Sequence, residues 1–237
     1  MAKLSLNKLP EYTTLIKFAK RLPNAIFDKL MTAFGKFIKQ PEKVAIDGTG
    51  ISLDNASPHY CKRIGKKYHK RPFLKLSIII EIEQYIILQF KVRKRARHDL
   101  IDAYPMVKKL AKQYKPDVFY GDRGYDSERL FKLVFEELGA YPLILQKRLD
   151  VPKHRRKGRY RKETIDVFDY GEYLQRNKVE TVFSILKKKF GFSIRSKEVK
   201  NQKVEAMSRI IAYNIDRMLE AGKQVILMFI KITRVSY

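Results

Sequence analysis

The spacing of apolar positions along the chain changes several times, and each change marks an element. In residues 1–40 the apolar set Tyr12, Leu15, Ile16, Phe27, Leu30, Met31, Phe34 and Ile38 recurs at helical intervals. Pro10 and Pro23 bound one or two short helices, with too few apolar residues for a core of their own. From Lys43 the period shortens to that of a strand, 43–47, ending at Asp47 and followed by the turn-forming Gly48-Thr49-Gly50. Residues 73–82 and 85–92 are β-branched runs with a very short connection, which predicts a hairpin. A helix over 99–113 follows, N-capped by Asp99 and carrying Pro105 near its first turns. Residues 117–121 form a fourth strand with Asp122 at its carboxyl end. A helix over 127–138, capped by Asp126 and closed by Gly139, leads to a fifth strand at 142–146. Two helices, 171–191 and 200–220, complete the pattern, and 224–235 suit either a strand or a short helix.

Strands alternating with helices need crossovers that cover the faces of a sheet, so the order predicts an α/β fold with a mixed sheet. The expected organisation is a short helical N-terminal segment (1–40), a main domain (41–220) and a C-terminal tail (221–237). Two stretches break the pattern: the basic, irregular residues 54–72, and KRLDVPKHRRKGRYRK at 147–162, where nine of sixteen residues are Lys or Arg. The latter predicts a mobile loop whose Arg155, Arg156 and Arg159 contact phosphates rather than enter a core.

Charge sharpens this picture. Fifty-one Lys and Arg against 25 Asp and Glu leave +26 over 237 residues, a field that favours polyanions and makes nucleic acid the leading partner. A membrane surface fits less well, because no basic amphipathic helix with bulky apolar anchors lies near a terminus. The lone Cys61 excludes an internal disulfide and suits a reducing, cytoplasmic setting. The first ten residues alternate Lys with Leu and lack the apolar run of a secretory signal. No apolar stretch approaches the roughly 20 residues a transmembrane helix needs.

The residues 171–191, GEYLQRNKVETVFSILKKKFG, carry two stripes. Val179, Val182, Phe183, Leu186 and Phe190 cluster within roughly 50° on a helical wheel, and Tyr173, Arg176, Glu180 and Lys187 form a second stripe about 90° away. By itself this is an ordinary amphipathic helix with solvated charges. Three carboxylates nevertheless hold distinctive places: Asp47 and Asp122 at strand ends, and Glu180 on the late helix. If the first and fourth strands are parallel neighbours, the two aspartates meet at the carboxyl edge of the sheet. A helix packed through Val179, Val182 and Phe183 turns Glu180 towards them. Three hard oxygen ligands without a Cys/His pattern suit Mg²⁺ or Mn²⁺, and a pair of such ions serves phosphoryl chemistry. The alternative is that the three are separate turn and surface residues.

Tyr173-x2-Arg176-x3-Glu180-x6-Lys187 resembles, at all four positions, the Y-R-E-K signature of DDE transposases of bacterial and archaeal insertion sequences. Ile46-Asp47-Gly48-Thr49-Gly50 is similar to that family's first-aspartate motif, and Tyr120-Gly121-Asp122-Arg123-Gly124-Tyr125-Asp126 to its second. The resemblance implies a ribonuclease H-like fold of the compact branch, since the interval from Asp122 to Glu180 has no room for a large β-rich insertion. It also implies that Asp47, Asp122 and Glu180 are the catalytic, metal-binding triad for two Mg²⁺ (or Mn²⁺) ions. Tyr173, Arg176 and Lys187 correspond to positions that contact the DNA end, and Tyr173 is suited to base stacking or a phosphate hydrogen bond. The implied activity is phosphodiester hydrolysis at element ends followed by strand transfer into double-stranded target DNA, with a homodimer acting on two ends. His98 and Asp99 also resemble a His-Asp pair of the group. About 40 residues precede the first motif, fewer than the helical end-recognition region of many members, so a shortened N-terminus is expected. Two other readings stay open: a non-catalytic DNA-binding remnant and a ribonuclease H-like nuclease unconnected with transposition.

Overall fold

The structure, a computed structural model, describes residues 10–38, 40–53, 62–63, 73–95, 97–147, 151–191 and 193–220. Cys61, most of the basic stretch 54–72 and the tail from 221 lie outside the described residues. Helices α1 (Tyr12–Arg21) and α2 (Asn24–Gly35) come first, then strands β1 (Lys43–Leu53), β2 (Phe73–Glu81) and β3 (Ile86–Arg93). Helix α3 (Asp99–Ala111), strand β4 (Val118–Gly121), helix α4 (Glu128–Leu133) with a wider turn over Val134–Leu138, and strand β5 (Tyr141–Ile144) follow. The chain ends with α5 (Arg159–Glu163), α6 (Tyr170–Tyr173), α7 (Lys178–Phe190), the short strand β6 (Ser193–Ile194) and α8 (Val199–Glu220).

The sheet is mixed, in the order β3-β2-β1-β4-β5, with β6 pairing parallel to the end of β1. β2 and β3 form the expected antiparallel hairpin beside β1, while β1, β4 and β5 run parallel. Val44, Ala45 and Ile46 of β1 and Ile78, Ile79 and Ile80 of β2 are essentially inaccessible, because central strands covered on both faces read as unbroken apolar runs. Period two splits β1 into two faces. Thr49 and Ile51, and with them Asp47, face α7 and α8, whose Phe183, Leu186 and Ile210 line the same crevice. Gly48 faces α3 instead. Phe27, Met31 and Phe34 of α2 join this same core. Among the described residues no helix is long and apolar enough to cross a membrane.

Several boundaries depart from the sequence pattern. Gly48-Thr49-Gly50 is not a turn: β1 continues through it to Leu53, paired with β2 along its length. The glycines are there for room, since a Cβ on Gly48 would lie 3.3 Å from Asp99 Oδ1 and one on Gly50 3.2 Å from the Phe73 ring. Asp99 does not cap α3; His98 does, through Nδ1, and Asp99 pairs with the buried Lys75 at 2.6 Å. Pro105 lies within α3 without ending it. Asp126 is not the cap of α4, which Ser127 precedes; its buried carboxylate accepts from Lys147 N and Arg161 Nη2, both at 2.7 Å. The stretch read as a mobile loop folds into a short turn (Lys153–Arg155) and α5, whose first amides donate to the Glu128 carboxylate at 3.0 and 3.2 Å. Charge counting missed this because the partners are scattered carboxylates on other elements. Gly139 (φ +76°) closes the α4 segment as expected.

Candidate active site

Ile46 pairs with Gly121 as the last rung of the parallel β1–β4 ladder. Asp47, still within β1, and Asp122, the first residue past the end of β4, directly follow that rung, which brings the two carboxylates to the same edge of the sheet. Asp47 Oδ1 accepts from Gly48 N (2.7 Å), and Asp122 Oδ1 accepts from Gly124 N (2.8 Å), folding Arg123–Tyr125 into a tight turn. Burial pushes the Asp47 carboxyl up to about 6, opposed by the Gly48 amide and reinforced by the charge of Asp122 and, more weakly, Glu180. Arg176 pulls in the other direction. Asp47 therefore feels the charges of Asp122, Arg176 and Glu180 together.

The predicted single helix over 171–191 is broken. α6 starts from Asp169, which accepts from Gly171 N and Glu172 N, and a tight turn (Leu174–Asn177) separates it from α7. Glu172 within α6 is held by Lys43 of β1 at 2.7 Å and by the Tyr120 hydroxyl of β4, contacts that lower its pKa. The second stripe survives the break in altered form. Tyr173 is only 4% exposed, its ring covered by Phe168, Tyr170 and the Arg176 guanidinium 5.5 Å away, so the ring is not available for base stacking. Arg176 reaches Glu180 at 3.4 Å, and Arg176 Nε is buried without a hydrogen-bond partner among the described residues. Glu180 is exposed at the start of α7. Lys187, about two turns further along α7, donates to Thr49 Oγ1 on β1 at 2.9 Å.

Two features were invisible in the sequence. Tyr125 is buried on the α3 side, and its hydroxyl has no hydrogen-bond partner among the described residues; burial and the charges of Asp47, Asp99, Asp122 and Asp102 push its pKa well up. Beyond Asp126, Lys147, Arg155, Arg156, Lys157 and Arg161 surround a hollow of about 360 Å³. Arg155 and Arg156 thus share a basic depression whose lining residue Asp126 lies four residues after Asp122, whereas Arg159 pairs with Glu163 at 3.0 Å. Among the described residues, no group of three acidic, histidine or cysteine side chains is drawn together closely enough to hold a metal ion.

A family model described as a transposase DDE domain matches residues 38–215, about three quarters of the chain. The chain belongs to that family. The match runs from just before β1 into α8, so this DDE transposase domain contains every carboxylate described above. A piggyBac transposase in a synaptic complex with hairpin DNA is similar in structure, with a TM-score of 0.53 and 11% identity over 91% of this chain and 56% of that one. The chain thus spans about half the length of that transposase. The catalytic domain of Mos1 mariner transposase matches at a TM-score of 0.30 and 11% identity, over 91% of this chain and 97% of that one. No curated protein sequence matches. The first likeness speaks for the fold, which is the ribonuclease H-like mixed sheet flanked by helices.

Proposed function

We propose that the chain is the catalytic domain of a DNA transposase that hydrolyses a phosphodiester at the ends of its element and joins the freed 3′-hydroxyl to double-stranded target DNA. The observation that carries this reading is that Asp47 and Asp122 each directly follow the last rung, Ile46–Gly121, of the parallel β1–β4 ladder, with Asp47 already resisting ionisation. Repulsion between close carboxylates in a half-buried site is what a hard cation relieves. The donor set fits in kind: oxygen ligands only, beside a buried hydroxyl at Tyr125 left without a hydrogen-bond partner among the described residues. Asp47, Asp122 and Glu180 would hold the metal, two Mg²⁺ or Mn²⁺ ions. Bound there, such ions supply Lewis acidity at the attacking and leaving oxygens of an in-line displacement.

The protein's own groups do the rest. Arg176 engages Glu180, a contact that would have to give way for Glu180 to serve as a third ligand. The freed guanidinium then offers a planar fork to a phosphate. Tyr173, packed beneath it, acts by positioning Arg176 rather than by touching DNA. Lys187, steadied by Thr49, presents a second cation on the same face of β1 as Asp47. Arg155 and Arg156 in the basic hollow take phosphates further along the strand. The stripe of Tyr173, Arg176, Glu180 and Lys187 supports membership of the Y-R-E-K group, the short interval from Asp122 to Glu180 its compact branch, and two ends cut together favour a homodimer.

The test is nicking of end-containing duplex in Mg²⁺ or Mn²⁺ by the parent, Asp47→Asn and Glu180→Gln. Each substitution is expected to reduce cleavage by at least about 10³-fold, the scale of removing a transition-state interaction of about 4 kcal/mol. Variants that cut as well as the parent refute the assignment. Salt-sensitive binding without cleavage in any divalent metal assigns the chain to DNA binding alone.

A further inference from the structure

Among the described residues, the outer edge of the sheet holds a dense group of cations that the site above does not use. β3 and the residues after it read KVRKRAR, and their side chains open on a hollow of about 440 Å³. Lys91, Arg93, Lys94, Arg95 and Arg97 line one side; Asn24 and Asp28 of α2 and Lys203 of α8 line the other. The charges there are unequally engaged. Arg93 is tied to the buried Asp102, and Asp28 is taken by Lys109. Lys91, Lys94, Arg95 and Arg97 are exposed, and none of them pairs with a carboxylate among the described residues. The structure elsewhere neutralises many of its cations in ion pairs, so four free ones in a row along one edge leave a concentrated positive strip.

We infer that this edge is a second duplex-binding surface, in which Lys91, Lys94, Arg95 and Arg97 take the phosphate backbone of a DNA segment distinct from the one held at the carboxylates. Geometry separates the two places. Arg93 stands opposite Lys75, and Lys75 opposite Gly50, so the strip lies two strands across from β1 and three residues beyond Asp47. Strand and residue spacings make that about 14 Å, too far for the same phosphate and near enough for a neighbouring duplex. The strip matches its ligand in charge density. Lys91 to Arg95 spans at most about 13 Å, with β3 ending at Arg93, and the facing strand of a duplex presents one negative charge per roughly 3.4 Å, about four over that length. Phe90 is the one aromatic lining the hollow and is half-buried, which favours contact with a backbone over stacking of unpaired bases. That the second duplex is the target of strand transfer rests on the transposase reading; phosphate binding at the strip does not.

The test measures binding of a random-sequence duplex of about 20 base pairs to the full chain, without divalent metal, over roughly 50 to 200 mM salt. The variant removes Lys91, Lys94, Arg95 and Arg97 as alanines. A control removes four exposed lysines elsewhere: Lys17, Lys29, Lys36 and Lys112. Loss of four phosphate contacts is expected to flatten the slope of log affinity against log salt by about 3 to 4 and to weaken low-salt binding at least about tenfold; the control changes the slope by under about 1. Equal effects of the two variants reduce the strip to a contribution to net charge and overturn the inference, as does a variant that binds like the parent. A second measurement needs no variant: duplex is expected to shield Lys91 and Lys94, but not Lys112, from amine acylation. Absence of shielding, or equal shielding by single-stranded DNA or anionic vesicles, overturns it too. A parent that never cleaves DNA defeats the transposase reading and leaves these outcomes unaffected.

Discussion

Asp47→Asn is expected to stabilise the fold while it removes activity. The carboxyl of Asp47 titrates near 6 in the folded chain against 3.8 when unperturbed, so the folded state holds its proton more tightly than the unfolded one. The sign follows: the associated stability is fully present below about pH 3.8 and is lost as the pH rises through 6, where the charge must be carried in a half-buried site. The interval corresponds to about 3 kcal/mol at most. Partial exposure lets water screen the charge, so about 1 to 2 kcal/mol is expected. Asparagine keeps an oxygen for the Gly48 amide and carries no charge. Urea or thermal unfolding in chelator at pH 8 should then show the variant melting about 2 to 8 °C above the parent, the range for a chain of this size. The gain should shrink to well under about 1 kcal/mol near pH 4. A variant less stable than the parent at pH 8, or a gain equal at both pH values, refutes the claim that the carboxylate is held against its own ionisation.

Gly124→Ala places a Cβ 2.9 Å from Asp122 Oδ1 and must move that carboxylate; metal-dependent nicking should fall at least about tenfold, with a melting shift within about 3 °C. Nicking at the parental rate would show that the position of Asp122 is unimportant. Asn214 of α8 accepts from Ile87 N at 3.0 Å and donates to Ile87 O at 2.8 Å, completing the buried backbone of edge strand β3. Asn214→Leu strands both groups and should cost about 2 to 4 kcal/mol in urea unfolding.

How much of this was legible in the sequence depends on the range of the forces involved. The strand and helix order, and the adjacency of Asp47 and Asp122, followed from local periodicity and from the rule that ligand sites gather at strand ends. What failed was set by partners distant in the chain. Nothing local told that Gly48 and Gly50 accommodate Asp99 and Phe73 rather than make a turn. Glu172 in the late helical stretch is held by Lys43 and Tyr120, which lie 129 and 52 residues away. Tyr173 was grouped with its stripe by angle alone, and angle does not report that Phe168 and Tyr170 cover it. The basic stretch after residue 147 looked unstructured because its carboxylate partners, Asp126, Glu128 and Glu136, belong to another element.

Asp47 sits inside a strand with nine residues paired on one side, not on a loop. A loop residue can drift when the chain is lengthened or shortened nearby; this one cannot. Because successive residues of a strand point to opposite faces, one codon gained or lost between Lys43 and Asp47 would turn the carboxylate away from α7 and bring a neighbour into its place. Descendants of this gene should therefore tolerate exchanges among Val44, Ala45 and Ile46 far better than any change in their number, and copies with an in-frame gain or loss there should be found decaying.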